Sequence, residues 1–240
     1  MESWRLVKAL RSGRRVYGLQ ALGRDGEMPA QQRVEEMAAT YIQEMHAVQP
    51  EGPYYVSGYS MGGLVALEIA QQLRAAGEPV QLVCLLDTYV HERCLPWFAW
   101  LRHQYGYVCR QLRALRTMPF AERVAYVGMK LDAGADRIRL RVGRTARRPE
   151  ANNAGLPPVL LRIREAMRLA MTIYRPRSYD GRVLYVRAAR LAEGRGDPLP
   201  LWQKVARGGL VVAEVDSDHV AMMFEPVVRL VADELDRAVR

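Results

Sequence analysis

The chain of 240 residues predicts an α/β fold built on a mainly parallel sheet, and three observations carry that prediction. Short β-prone runs alternate with segments of helical periodicity, as they do where helices cover a parallel sheet. The run Val80-Gln81-Leu82-Val83-Cys84-Leu85-Leu86 is nearly all apolar, the pattern of a strand covered on both faces. Gly58-Tyr59-Ser60-Met61-Gly62 fits G-x-S-x-G and stands between a β-prone run and an apolar helical segment, the strand–turn–helix context that motif requires.

The elements follow in order. Residues 2–11 predict one short helix, and Arg15-Val16-Tyr17-Gly18-Leu19-Gln20-Ala21 a strand. Pro29 falls in a loop with Gly23 and Gly26. Val34, Met37, Ala38, Tyr41, Ile42, Met45 and Val48 recur at steps of three and four, the stripe of an amphipathic helix packed on a sheet. Pro50, Gly52 and Pro53 end it. A strand runs to Tyr59, a helix from about Met61 to Ala76 stops at Gly77, and a strand follows over 80–87. From about His91 to Arg175 the chain changes to basic amphipathic helices without strand character, broken near Pro119, Gly143 and Asn152 to Pro158. Sheet character returns over 182–187 and 210–215, and a closing helix covers about 225–238.

Composition bounds the function. The length suits one sizeable domain, and half the residues are apolar, enough for a real core. No apolar run is long enough for a membrane span and the N-terminus lacks a signal-peptide layout, so the reading is a soluble, cytoplasmic protein. Cys84, Cys94 and Cys109 cannot all pair internally and have no metal-site spacing, which predicts reduced thiols and no metal. Of the net charge of +9, residues 91–180 hold 18 Arg and Lys against 7 Asp and Glu, a local +11. Aromatic interleaving of the kind that binds single strands is missing, which argues against nucleic acid. An acidic protein or phosphate-bearing substrate fits that basic surface, as does a plain solvated face.

The chemistry lies past the strand ends. A serine on a sharp strand-to-helix turn projects its hydroxyl clear of the sheet, with Gly58, Gly62 and Gly63 expected to give the backbone room. The helix that follows points free N–H groups and a positive dipole end toward the place where an acyl oxyanion develops, with the Met61 N–H as the natural donor. Ser60, Asp87 and His219 come in the order nucleophile, acid, histidine. A serine needs an imidazole to take its proton, and the imidazole needs a carboxylate to hold its tautomer. His46, His91 and His103 suit packing or solvated roles, and a loop histidine bonded to Asp216 or Asp218 is the plain alternative for His219.

These residues carry a resemblance. The stretch from Gly52 to Ala66, with Gln72-Leu73-Arg74-Ala75-Ala76-Gly77 and Leu85-Leu86-Asp87-Thr88, resembles the type I thioesterase domains that end nonribosomal peptide synthetases and polyketide synthases. Val16-Tyr17-Gly18-Leu19-Gln20-Ala21, Tyr174-Arg175-Pro176 and Asp218-His219 are similar too. The resemblance implies a single α/β-hydrolase domain over 1–240 with a helical lid inserted at about 91–175. It implies a thioesterase that releases an acyl, peptidyl or polyketide chain from the phosphopantetheine of an acyl or peptidyl carrier protein, by hydrolysis or macrocyclisation, with no cofactor of its own. Ser60, Asp87 and His219 become the triad. Type II editing thioesterases place the acid after a later strand, where Asp197 stands in this chain. A type II enzyme, a general esterase and an inactive domain that docks a carrier protein therefore stay as alternatives.

One departure stands out. In the family a strand ending in a His-Pro-x-Gly-Gly type loop precedes the first helix, supplies a second oxyanion donor, and lies between the strands matching 15–21 and 54–59. This chain begins after that point. The reading expects either a C-terminal fragment of a longer chain or a domain without a central strand.

Overall fold

The computed structural model describes residues 3–23, 30–120, 122–128, 157–191 and 196–240. Four parallel strands, β1 (Tyr54–Tyr59), β2 (Val80–Leu86), β3 (Val183–Arg190) and β4 (Leu210–Asp218), form one sheet in the order β1-β2-β3-β4. The helices are α1 (Ser3–Ala9), α2 (Val34–Val48), α3 (Met61–Ala75), α4 (Trp97–Thr117), α5 (Pro158–Ile173), α6 (Leu199–Val205) and α7 (Val227–Ala238), with a further helical stretch at 122–128.

The apolar runs of the central strands are explained by a core on each face. Val83 and Leu85 of β2, with Val183 and Tyr185 of β3, pack among α2, α3 and α6. The alternate residues Leu82, Cys84 and Leu86, with Leu184 and Val186, pack against Leu6 of α1 and Val228, Val231 and Leu235 of α7. Side chains alternate along a strand, so a strand buried on both sides must be apolar at both parities.

Local signals end the helices where the chemistry requires. Beyond α3, Gly77 has φ +80°, its N–H reaches Arg74 O at 3.0 Å, and Glu78 N–H reaches Leu73 O at 2.9 Å. That is the Schellman arrangement, which glycine enters without a Cβ clash. The N-terminal segment is tied to the last helix through the buried Asp236, whose carboxylate accepts from Arg11 N–H at 2.7 Å and Ser12 N–H at 3.0 Å.

The expected strand at 15–21 does not form. Residues 15–20 are exposed and make no ladder, with Val16 and Tyr17 turned to solvent. β propensity selects an extended backbone, but a strand also needs a neighbour for its N–H and C=O groups. Arg14 instead lies over the Tyr55 ring at 4.5 Å and donates to Val239 O at 3.2 Å. A strand neighbour on the far side of β1 is absent among the described residues.

Within 91–175 the described residues are helical or irregular. The breaks expected near Gly143 and Asn152, like the Pro29 loop, lie outside the described residues. Among the described residues none of α4 belongs to either core, and Trp97, Phe98 and Tyr105 are exposed on it. Helix α5 returns to the domain through Ala170 and Met171. There the buried Glu68 of α3 accepts from Tyr174 Oη at 2.8 Å and Gln72 Nε2 at 3.0 Å and pairs with Arg177 at 3.2 Å. Three partners offset the desolvation of that carboxylate.

The three cysteines are free. Burial, partly offset by Arg182, pushes the Cys84 thiol up to about 12. Since the thiolate is the nucleophile, Cys84 is expected to resist a disulfide reagent at pH 8 in the folded protein and to react only in denaturant. Modification of native Cys84 as fast as half-buried Cys109 would contradict this packing. Among the described residues no helix is long and apolar enough to cross a membrane.

Candidate active site

Ser60 sits between β1 and α3 with φ 55° and ψ −121°, a backbone conformation that non-glycine residues rarely hold. Two glycines make the turn possible. A Cβ on Gly58 would lie 2.0 Å from Gly62 O, and one on Gly63 would lie 1.9 Å from Thr88 Oγ1, so α3 could not approach β1 and β2 with any side chain there. Gly62 differs from the expectation: a Cβ there meets no atom within 4 Å, so the close approaches belong to Gly58 and Gly63 alone. The Ser60 N–H donates to Leu86 O at 2.8 Å, fastening the turn to the end of β2.

Asp87 follows β2 directly, with φ 40° and its N–H on Val186 O at 2.7 Å. Its side chain is 1% exposed. Oδ1 accepts from Ala188 N–H at 3.0 Å, and Oδ2 is 2.6 Å from His219 Nδ1. A carboxylate buried this deeply needs such donors, because each replaces water lost on folding. The bond assigns the Nδ1 proton to the tautomer facing Asp87 and leaves Nε2 as the free acceptor.

His219 stands just past β4, its side chain 21% exposed. The next turn is capped by Asp218, whose Oδ1 accepts from Val220 N–H at 3.0 Å and Ala221 N–H at 2.9 Å. Those bonds come first in holding the exposed Asp218 carboxyl below the usual carboxylate range, with Arg190 and His219 adding to the effect. A depressed folded value means that this capping contribution is present above the unfolded pKa and fades as pH falls through the folded one.

The structure brings Asp87 and His219 into contact, and Ser60 stands at the end of the neighbouring strand β1, bonded to Leu86 beside Asp87 and preceded by Tyr59, which stacks on His219. Ser60 Oγ has no hydrogen-bond partner among the described residues. Met61 is the first residue of α3, so its N–H has no acceptor within the helix. Asp197 is engaged elsewhere: Oδ1 accepts from Leu199 N–H at 3.0 Å at the start of α6, and Oδ2 lies 3.6 Å from Arg187. Asp216 pairs with Arg190 at 2.8 Å, and His46 with Glu78 at 2.9 Å. Among the described residues no group of three or more His, Cys, Asp or Glu could hold a metal ion.

Sequence reading missed two tyrosines on the imidazole. The Tyr59 ring stacks on His219 with centroids 4.8 Å apart and planes at 20°, and Tyr89 meets it edge-on at 5.2 Å and 69°. The only local signal was an aromatic residue next to the serine, which says nothing about a partner 160 positions away.

A strained serine turn after β1, a parallel sheet with helices on both faces, an acid past β2 and a histidine past β4 define an α/β-hydrolase fold. The family model of the thioesterase domain matches residues 4–235, and the chain belongs to that family. It is 45% identical over 76 residues to a dimodular nonribosomal peptide synthase of Bacillus subtilis (strain 168), a match covering 31% of this chain and 3% of that protein. It is 42% identical over 83 residues to malpibaldin synthetase of Mortierella alpina, covering 35% and 2%. The chain thus spans only a few hundredths of the length of these relatives. Among solved structures it is similar in fold to the Vlm2 thioesterase domain bound with a dodecadepsipeptide, with a TM-score of 0.61 at 21% identity over 99% of this chain and 87% of that one.

Proposed function

We propose that the protein releases an acyl, peptidyl or polyketide chain from a phosphopantetheine thioester on a carrier protein, through an acyl-enzyme on Ser60. The observation that carries this reading is the 2.6 Å bond between His219 Nδ1 and the buried Asp87, set beside a serine held on a strained turn. Membership of the thioesterase family and the synthetase relatives support the substrate class.

In the proposed reaction Ser60 Oγ attacks the thioester carbonyl carbon while His219 Nε2 takes the hydroxyl proton. The carbonyl oxygen becomes an oxyanion facing the Met61 N–H at the positive end of α3. Collapse breaks the carbon–sulfur bond, and the imidazolium returns its proton to the leaving thiolate. A second nucleophile, water or a hydroxyl or amine of the chain itself, is deprotonated by His219 and displaces Ser60, whose Oγ takes the proton back from the imidazolium, giving an acid or a macrocycle. Asp87 keeps Nδ1 protonated and stabilises the imidazolium throughout.

The acyl or peptidyl carrier protein is the partner of this reading, the insert at about 91–175 its lid, and the cytoplasm its compartment. The basic charge of that insert suits an acidic carrier, through steering that weakens with salt. Arg137, Arg139, Arg141 and Arg144 lie outside the described residues. The test compares a chain loaded on a carrier protein with the same chain on a small soluble thioester. Reversing those four charges is expected to slow release from the carrier and to spare the small thioester. Equal loss on both would remove the docking role, and no Ser60-dependent release from either would overturn the proposed activity.

A further inference from the structure

Asp87 holds the imidazole at Nδ1 and the Cβ bond holds it at Cγ, but neither fixes the loop that carries the side chain or the tilt of the ring. Tyr59 supplies the missing constraints. Its ring covers one face of His219 at 4.8 Å and 20°, which limits tilting of the imidazole out of its plane. Its hydroxyl donates to the backbone carbonyl of His219 itself, which fixes the loop from which the side chain springs. Tyr59 is also the last residue of β1, bonded covalently to Ser60. One side chain therefore joins the serine turn to the histidine loop.

We infer that Tyr59 is a positioning residue that holds His219 in register with Ser60. The inference rests on the proposed roles of those two residues. A reacting constellation has to be held to within about 0.5 Å and 10–20° to be productive. With Tyr59 adjacent in the chain, any shift of the serine turn carries the tyrosine with it and moves the imidazole in the same direction. The face of the phenol ring also attracts a cation, so the stack favours the imidazolium formed in the reaction. Tyr89 completes the clamp from the edge at 5.2 Å.

Three variants separate these contributions, with a soluble fluorophosphonate as the probe because it needs no knowledge of the natural substrate. Tyr59→Phe keeps the ring and loses the hydroxyl, and its maximal labelling rate is expected to fall about two- to tenfold. Tyr59→Leu loses both, with an expected fall of about ten- to a hundredfold. Tyr59→Trp restores an aromatic face and is expected to recover the rate to about that of Tyr59→Phe. In each variant the concentration of half-maximal rate should not move, since the probe is bound as before and only its reaction is slowed.

A merely structural role would lower the melting temperature without this graded split between rate and affinity. Tyr59→Leu labelling at the wild-type rate overturns the inference, as does a loss confined to probe affinity. Should Tyr59→Leu fail to fold, Tyr59→Phe and Tyr59→Trp decide: wild-type rates in both overturn the inference, and reduced rates with unchanged affinity uphold it. Ser60→Ala run alongside keeps the two ideas apart. Persistent labelling there removes the catalytic reading, whereas loss there with normal Tyr59 variants removes only the positioning role.

Discussion

Ser60→Ala is expected to lower turnover of an acyl thioester by about a million-fold, to the level left by binding and the oxyanion donor alone. The size of the effect follows from the division of labour in the site. Without the hydroxyl, the proton acceptor on His219 Nε2 has nothing to activate, and no acyl-enzyme forms. The substitution removes one oxygen from a partly exposed position whose backbone bonds, Ser60 N–H to Leu86 O and Gly63 N–H to Ser60 O, are unaffected. Folding should be retained, and a thermal melt checks it. Turnover within tenfold of wild type would mean that the thioester is cleaved by some other group.

Asp87→Asn carries the second large effect, a fall in turnover of about ten-thousand-fold. The amide has nearly the same shape and can still accept from Ala188 N–H, which lies 3.0 Å from Oδ1. Presented to His219, it offers an N–H where a carboxylate oxygen stood at 2.6 Å. The imidazole then turns the wrong tautomer toward Ser60 and loses the charge that stabilises its protonated form. Asp197→Asn is the matched control. Its carboxylate accepts from Leu199 N–H at the start of α6 and pairs with Arg187. The amide can still accept from Leu199 N–H, so only the pairing with Arg187 is lost, and turnover should be nearly unchanged. The reverse ranking of the two variants would move the acid to the position used by type II thioesterases.

The sequence reading succeeded where the signal is local and periodic. Helix α2 begins and ends at the residues the stripe from Val34 to Val48 predicts, and β2 ends one residue before the predicted boundary, at the acid that closes its apolar run. It failed where structure depends on distant partners. Val16, Tyr17 and Leu19 have the right side chains for a strand, but no ladder forms on them. Helix α6 went unread because seven residues are too few for a periodic signal, and Pro198 and Pro200, which the start of a helix tolerates, suit a loop equally well. Leu201, Trp202 and Val205 nevertheless bury its inner face. The polar sequence Asp216-Ser217-Asp218 hid the last turnings of β4, which continue to Asp218.

Much the same holds for the site. Ser60, Asp87 and His219 were legible because each follows a recognisable strand, and strand ends of a parallel sheet share one edge. The pairing of His219 with Asp87 rather than with Asp216 or Asp218 was the expectation from strand order, and the structure adds how β3 supports it: Ala188 of β3 donates to the same carboxylate. The glycine pattern was legible as a tight turn, yet only packing shows that Gly63 faces Thr88 and that Gly62 faces open space.

The central claim, that Ser60 is an activated nucleophile, is tested most directly by treating the folded chain with a fluorophosphonate and locating the adduct by peptide mass spectrometry. The account predicts one adduct, on the peptide carrying Ser60, and none in Ser60→Ala. A folded wild-type protein that takes no label, or a label that persists in Ser60→Ala, would contradict it.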